Sequence, residues 1–180
     1  MAKQKILILC NMVNGGGVEK VMQDIANYLC NQNYNITVAA LDSTFKSTDL
    51  ISKEAKTLVC YRSKSAIKKW SIAWFLFKIK QLLLCLYLII FTSFDSLLVL
   101  KDGWYMKLGT KIRANRRIAW VHMDYNTSHF SKHFFKSNQD EKRYMQKYDN
   151  VVCVSKLVEK SVCDVIGNPG NLVVCYNPIN

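Results

Sequence analysis

The sequence predicts an α/β fold, a Rossmann-like open parallel sheet with helices on both faces. Short apolar runs suited to strands alternate with helical stretches, which is typical of parallel sheets. The first run ends in a glycine-rich turn that leads directly into an amphipathic helix. No linker-like segment divides the 180 residues, so we expect a single domain covering 1–180.

The first strand and helix come from the stretch ILILCNMVNGGGVEKVMQDIANYL. Ile6–Cys10 is a continuous apolar run, as expected for a strand that is buried on both faces. In Val18–Leu29 the apolar residues recur with helical spacing. Gly15, Gly16 and Gly17 lie between the two, and glycines let the backbone approach a ligand closely. The N-terminus of the helix favours an anion such as a phosphate, although a tight strand–helix turn explains the same glycines.

The remaining elements follow the same alternation. Further strands are predicted at Ile36–Leu41, Leu58–Tyr61, Leu97–Leu100, Ile118–Val121, Val151–Val154 and Leu172–Tyr176. Helices are predicted at Ala66–Phe91, in a short piece after Gly103, and at Gln139–Lys147 and Lys156–Val165. Ser155 precedes the last helix and is expected to cap it.

The helix at Ala66–Phe91 is the most apolar part of the chain. A membrane-spanning helix needs about 20 apolar residues, and Lys78 and Lys80 interrupt this run. The helix is therefore either a crossover buried against the sheet or a helix with one face in the membrane interface. We favour the interface, because Leu82–Phe91 is apolar all round. The residues expected at the lipid boundary are Trp70, Trp74, Phe75 and Phe77, with Lys68, Lys69, Lys78 and Lys80 near lipid phosphates.

The charge of the chain limits the classes of binding partner, and its cysteine content indicates the cellular compartment. The net charge is +12, and basic residues concentrate between Lys46 and Lys80 and between Lys101 and Arg117. Such a surface fits nucleic acid, anionic lipid or a phosphorylated substrate, or is simply solvated. None of the seven cysteines forms a CxxC pair, which indicates reduced, buried thiols in a cytosolic protein.

Ligands of open parallel sheets bind beyond the carboxyl ends of the strands. The loops to inspect are 11–17, 101–105, 122–127 and the position of Ser155. His122 enters one of these loops, where an imidazole can donate to a sugar hydroxyl or a phosphate. The alternative is a core histidine that bonds to the backbone. His129 and His133 have helical spacing but no acidic or cysteine companion, so we expect no metal site.

Four segments, taken in chain order, resemble family 4 glycosyltransferases. They are GGGVEKVMQDIANYL, RIAWVHMDY, YDNVVCVSKLVEKSV and NLVVCYNPIN. The residues that carry the resemblance are Gly16, Gly17, Glu19, Lys20, Trp120, His122, Asp124, Tyr125 and the run Asn177-Pro178-Ile179-Asn180.

The resemblance implies a GT-B fold, in which two Rossmann-like domains face a cleft. The chain then corresponds to the N-terminal, acceptor-binding domain, and no E-x7-E segment of a C-terminal donor-binding domain is found. The implied function is retaining transfer of a sugar from a nucleotide-sugar to a saccharide on a membrane lipid such as a polyprenyl diphosphate. The implied setting is polysaccharide synthesis in the cytoplasm, peripheral on an anionic inner membrane face. No tightly bound cofactor and no metal are expected, and the isolated chain is expected to be inactive or nearly so.

The resemblance also implies roles for site residues. Gly15, Gly16 and Gly17 would lie near the donor diphosphate, and His122 close to the transferred sugar, with Asp124 as its catalytic companion. Asp124 can position an acceptor hydroxyl or accept its proton, or it can cap the following turn. Glu19 and Tyr125 would bind the acceptor, although an acidic residue in the first helical turn also has a structural explanation.

Two other classes of function stay open. A nicotinamide-binding oxidoreductase domain would use Gly15 and Gly17 for the dinucleotide and Asp42 for the ribose. Lys20 then occupies the third fingerprint position, where close packing favours glycine. A basic nucleic-acid-binding module would explain the charge, but the lysines form no recognised reading motif.

Overall fold

The structure is a computed structural model that describes residues 3–12, 16–44, 51–62 and 70–177. Its strands are β1 (Lys5–Met12), β2 (Asn35–Ser43), β3 (Lys56–Tyr61), β4 (Ser93–Val99), β5 (Arg113–Val121), β6 (Asn150–Cys153) and β7 (Leu172–Val174). Its helices are α1 (Gly17–Asn31), α2 (Ile72–Ile90), α3 (Trp104–Gly109), α4 (Asn138–Met145) and α5 (Lys156–Ile166), with a 3-10 helix at Phe130–Phe134.

The seven strands form one sheet in the order β3-β2-β1-β4-β5-β6-β7, and every pair is parallel. The predicted Rossmann-like architecture is confirmed, and each predicted strand is present. The chain progresses from β1 toward β3 on one side and from β4 toward β7 on the other. The direction of winding therefore reverses between β1 and β4, and the loops that follow these two strands diverge there.

Two hydrophobic cores cover the two faces of the sheet. On one face, α1 buries Met22, Ala26 and Cys30 against alternate residues of β1, β2 and β4. The opposite face carries α2, α3, α4 and α5 over the other set of strand residues. Ser155 accepts the Val158 N–H at the start of α5 at 3.2 Å, so the predicted cap is confirmed.

Helix α2 is apolar on both of its sides. It begins at Ile72, where the Ser71 hydroxyl accepts the Trp74 N–H, and its inward residues include Cys85 and Leu88. Its outward residues are also large and apolar, and at helical spacing they form the apolar face of α2: Ile72, Phe75, Leu76, Ile79, Leu82, Leu83, Leu86 and Ile90.

Within the described residues, one helix, α2 itself, is long and apolar enough to cross a membrane, with a mean hydropathy of 1.8. Only 17% of that stretch is buried in the protein. Lys78 and Lys80 lie within this stretch, which remains apolar on average in spite of them, so they do not shorten the run as the sequence suggested. Phe77 is buried beside Cys60, so its predicted position at the lipid boundary is wrong. Lys68 and Lys69 lie outside the described residues.

Candidate functional site

The candidate site lies at the carboxyl edge of the sheet, where the winding reverses. Strands β1 and β5 both pair with β4, so their ends are separated by two strand spacings, about 10 Å. Gly16 and Gly17 follow β1, Lys101 follows β4, and His122 follows β5. The structure therefore brings the glycine turn and His122 to neighbouring positions on one edge. Gly15 lies outside the described residues.

Gly16 is the N-cap residue of α1, and its amide is already engaged. The Glu19 Oε2 atom accepts the Gly16 N–H at 2.7 Å, which stabilises the helix start with an acidic group. A Cβ atom at Gly16 would lie 3.1 Å from that carboxylate oxygen, whereas a Cβ at Gly17 would meet open space. The amide of Gly17, in the first turn, has no intrahelical acceptor and points out of the helix end. This end of α1 can therefore receive an anion through Gly17 more readily than through Gly16.

His122 is half-buried, and one of its ring nitrogens is free to form a hydrogen bond with a ligand. Its Nε2 atom is buried and has no hydrogen-bond partner, and the same is true of the Trp120 indole nitrogen. The two rings stack with centroids 6.5 Å apart. Burial, assisted by the nearby Lys101 ammonium, lowers the pKa of His122 to about 4. At neutral pH the side chain is therefore a neutral imidazole that can exchange a hydrogen bond with an incoming group.

Asp124 forms the turn that follows His122. Its Oδ1 accepts the Asn126 N–H at 2.9 Å, and its carbonyl oxygen accepts the amides of Thr127 and Ser128. These contacts are those of the capping alternative. A catalytic role for Asp124 stays a prediction. The carboxylate stabilises this turn, and it lies two residues after His122 in the chain.

Tyr125 lies inside the protein and not on the wall of the site. It is 3% exposed, and its hydroxyl contacts Glu141 Oε1 at 3.1 Å and Asp102 Oδ2 at 3.3 Å. The Ser131 hydroxyl and the His129 Nε2 atom also contact Glu141, at 2.7 and 2.8 Å. We name these five residues the Glu141 cluster. A side chain so enclosed has no surface for an acceptor, so the predicted acceptor-binding role of Tyr125 is corrected. Tyr125 instead anchors the loop after β5 through these hydrogen bonds.

The Glu141 cluster also affects the loop after β4. Burial and the neighbouring Glu141 carboxylate raise the pKa of Asp102. Burial likewise raises the pKa of Tyr125 well above its ordinary value, so its hydroxyl stays protonated as a donor. Sequence spacing carries no signal for this cluster, because its members come from the loops after β4 and β5, from the 3-10 helix and from α4. In the part of the chain that the structure describes, no group of three His, Cys, Asp or Glu residues could hold a metal ion.

The family model of glycosyltransferase family 4 matches residues 15–180. This chain belongs to that family. No curated protein sequence is similar enough to count as a match. The match covers nearly the whole chain, so the nicotinamide and nucleic-acid alternatives lose their support.

Solved structures of glycosyltransferases share the fold. HepE of Anabaena, in complex with UDP and glucose, is 15% identical, with a TM-score of 0.65 over 98% of this chain and 45% of that protein. The lipopolysaccharide outer core galactosyltransferase WaaB is 17% identical, with a TM-score of 0.61 over 97% of this chain and 46% of WaaB. UGT89C1 of Arabidopsis thaliana, complexed with UDP-L-rhamnose, is 16% identical, with a TM-score of 0.55 over 97% of this chain and 52% of that protein. The chain thus spans less than half the length of the first two.

Proposed function

We propose that this chain is the acceptor-side half of a retaining glycosyltransferase. The enzyme would transfer a sugar from a nucleotide-sugar to a lipid-linked saccharide at the inner face of the cell membrane, in the synthesis of a cell-surface polysaccharide. The donor-binding half would lie on a second Rossmann-like domain or subunit. Support for a nucleotide-sugar donor comes from the relatives of the same fold that bind UDP or UDP-sugars.

The observation that carries the proposal is the placement of Gly17 and His122 on one edge of the sheet. Departure of a nucleoside diphosphate leaves negative charge on its phosphates and positive charge on the sugar. The N-terminus of α1 offers oriented amides to the phosphates. His122 offers a neutral ring nitrogen that lacks a partner in the protein, and it can bond a hydroxyl of the sugar. Asp124, in the turn beside it, is the group that would position the acceptor hydroxyl.

Sugar transfer by the chain together with its donor-binding half tests this proposal. We expect turnover of a UDP-sugar, and we expect His122→Ala to lower it about 100-fold, the usual effect of removing one stabilising donor. His133→Ala is the matched control, because His133 is an exposed histidine on the 3-10 helix. The coupling constant of the product's anomeric proton reports whether configuration is retained. No turnover with any nucleotide-sugar, or equal losses in both variants, would contradict the proposal.

The apolar face of α2 supports the membrane part of the proposal. Ile72 is 81% exposed and Trp70 78%, and no described part of the chain covers them. Soluble proteins rarely expose so continuous an apolar surface without a partner. Lys78 lies along one edge of this face and Lys80 along the other. Lysines at the borders of an apolar stripe place their ammonium groups at the level of lipid phosphates while the stripe enters the interface.

The geometry of α2 favours lying on the membrane over crossing it. Its inward residues pack in the core against β2 and β3, and a crossing helix would have to leave that core. The C-terminal end of the helix carries further positive charge. Lys56 lies over the Tyr87 ring at 5.9 Å, and Arg113 donates to the carbonyl groups of Ile90 and Thr92. Each such cation contributes about 1 kcal/mol of attraction to an anionic surface.

Flotation with lipid vesicles tests the membrane surface. The chain is expected to float with anionic vesicles at low salt and to dissociate as salt rises. Leu83→Gln should weaken the association about tenfold, as expected when one leucine no longer enters the apolar layer. Leu157→Gln on α5 is the matched control, because the two leucines are 59% and 62% exposed. Equal binding to neutral and anionic vesicles, binding to neither, or equal effects of the two substitutions would contradict this surface.

A further inference from the structure

A cavity of about 240 Å³ lies at the amino edge of the sheet, beside the C-terminal end of α2. Three of its lining residues lie near the starts of neighbouring strands, namely Lys5 of β1, Thr37 of β2 and Lys56 of β3. Tyr87 and Phe91 line it from the last turn and the C-cap of α2. We name it the amino-edge pocket. We propose that it binds the phosphate of an anionic membrane phospholipid, an inference that rests on the membrane surface in the proposed function.

Strand alternation places the polar residues of the pocket on one face of the sheet. Lys5 alternates with Leu7, and Lys56 alternates with Leu58, and both leucines pack in the core that α2 covers. Thr37 is paired with Lys56 in the ladder between β2 and β3. The two lysines therefore start two strand spacings apart, about 10 Å, so their long side chains can reach one phosphate from both sides.

The charge of the amino-edge pocket suits an anion. Among the described residues, its lining carries two ammonium groups and no carboxylate. Neither Lys5 nor Lys56 forms an ion pair with another residue that the structure describes. Thr37, which is 8% exposed, adds a hydroxyl that can donate a hydrogen bond. Two cations and a hydroxyl around one cavity supply the charge-assisted hydrogen bonds that phosphate oxygens accept.

Negative charge near the pocket is already engaged by other groups. The carbonyl groups at the C-terminus of a helix carry partial negative charge and would repel a phosphate. Arg113 offsets this charge at α2, because its guanidinium donates to the carbonyl groups of Ile90 and Thr92. Asp95 lines an adjoining cavity, where its carboxylate accepts the backbone N–H of Lys5 at 2.8 Å.

The surroundings of the pocket favour a phospholipid over a free phosphate. Phe91 is 73% exposed and Tyr87 37%, and the two rings stack with centroids 6.4 Å apart. They adjoin Leu86 and Ile90 of the apolar face of α2, which we assign to the membrane interface. Acyl chains can therefore lie along α2 while the phosphate reaches the lysines, with the tyrosine ring at the boundary between them.

The amino-edge pocket is separate from the candidate site for sugar transfer. His122 and Gly17 lie at the carboxyl edge, and the eight residues of β1 separate the two edges by about 25 Å. A phosphate in the pocket therefore takes no part in the reaction. It attaches the amino edge to the membrane, and together with the apolar face of α2 it fixes one orientation of the domain on the lipid surface.

An NMR titration of the chain with dihexanoylphosphatidylglycerol, kept below the concentration at which it forms micelles, tests this pocket. Monomeric lipid presents no charged surface, so attraction to a surface cannot imitate a specific site. We expect saturable shifts of the amide signals of Tyr87 and Phe91. Lys5→Gln combined with Lys56→Gln should weaken binding about thirtyfold, the effect of losing two contacts between a lysine and an anionic lipid.

Two controls accompany the titration. Lys156→Gln combined with Lys160→Gln removes the same charge from two exposed lysines of α5 and should leave lipid binding unchanged. Inorganic phosphate should bind at least about tenfold more weakly than the lipid, because it makes no contact with the aromatic rings. The pocket would be overturned if the lipid showed no saturable binding, if the two double variants weakened binding equally, or if inorganic phosphate bound as tightly as the lipid.

Flotation with phosphatidylglycerol vesicles separates this inference from the proposed function. If the chain floats with the vesicles and the monomeric lipid does not bind, the amino-edge pocket is wrong and the membrane surface of α2 stands. If the monomeric lipid binds and the chain does not float, the membrane surface is contradicted, and the phospholipid site is not.

Discussion

On the sheet face that carries α2, α3, α4 and α5, a buried carboxylate is hydrogen-bonded within the protein on one side, and a tyrosine hydroxyl is left without a partner among the described residues on the other. On the side of α4 and α5, Glu141 is fully buried and accepts three hydrogen bonds inside the protein. On the side of α2 and α3, Tyr105 is 8% exposed, lines an open cavity of about 400 Å³, and its hydroxyl makes no hydrogen bond to the described residues. The outer surfaces of the helices differ as well, because α5 exposes Lys156, Lys160 and Asp164, whereas α2 exposes leucines and isoleucines. In the closed half, on the side of α4 and α5, the Glu141 carboxylate finds three partners inside the protein, although Asn171 Oδ1 and Arg117 Nε are buried without one. In the open half, on the side of α2 and α3, the Tyr105 hydroxyl is left for a partner.

Matched residue pairs make this comparison specific. His129 bonds Glu141 through Nε2, whereas the Nε2 atom of His122, which stacks on Trp120 of the core on the α1 face, has no partner. The Tyr148 hydroxyl donates to the Met106 carbonyl at 2.7 Å, whereas that of Tyr105 donates to nothing in the described chain. Substitutions in the closed half should therefore reduce stability, and equivalent ones in the open half should reduce binding.

The largest expected effect is that of Glu141→Ala. The substitution leaves the Tyr125 and Ser131 hydroxyls and the His129 ring nitrogen without their common acceptor. We expect the free energy of unfolding to fall by about 3–5 kcal/mol, as when one partner of a buried charged network is removed. Urea denaturation measures it. Asp24→Ala, which breaks the Lys20–Asp24 pair on the surface of α1, should cost about 0.5 kcal/mol. If Glu141→Ala also cost only about 0.5 kcal/mol, the Glu141 cluster would not be what stabilises the side of α4 and α5.

A smaller effect is expected from the pH dependence at His122. Because its pKa is about 4 in the folded protein and about 6.5 when unfolded, the unfolded state binds more protons between these values. Stability from this group is therefore complete above pH 6.5 and is lost as pH falls toward 4. Relative to the unaltered chain, His122→Gln should gain about 1–2 kcal/mol between pH 7 and pH 5. A constant difference between the two stability curves would mean that the imidazole is not held neutral by burial.

The sequence predicted the scaffold better than it predicted these contacts. Strand periodicity and turn glycines were sufficient for all seven strands, because a parallel sheet needs continuous apolar runs. The prediction for α2 erred in including Trp70 and Ser71, since the helix begins at Ile72, and in its assignment of Phe77 to the surface. The predicted start at Ala66 lies outside the described residues. Apolar residues on every side of a helix do not reveal which side meets the sheet.

Site residues were predictable only where they follow a strand directly. His122 was found in this way, since the end of β5 fixes its position at the carboxyl edge. The role of Tyr125 was missed, because its partners Asp102, Ser131 and Glu141 lie on other segments and share no spacing with it.

The smallest expected effects belong to the two buried tyrosines. Tyr148→Phe removes a hydroxyl that donates to the Met106 carbonyl, and that carbonyl still accepts the Thr110 N–H, so the loss should be about 1 kcal/mol. Tyr105→Phe removes a hydroxyl with no partner, so stability should stay within about 0.5 kcal/mol or rise slightly. Denaturation of both variants under the same conditions measures the difference. Equal losses would mean that the Tyr105 hydroxyl is satisfied in solution, and the open half would then have no more unused capacity at this position than the closed half.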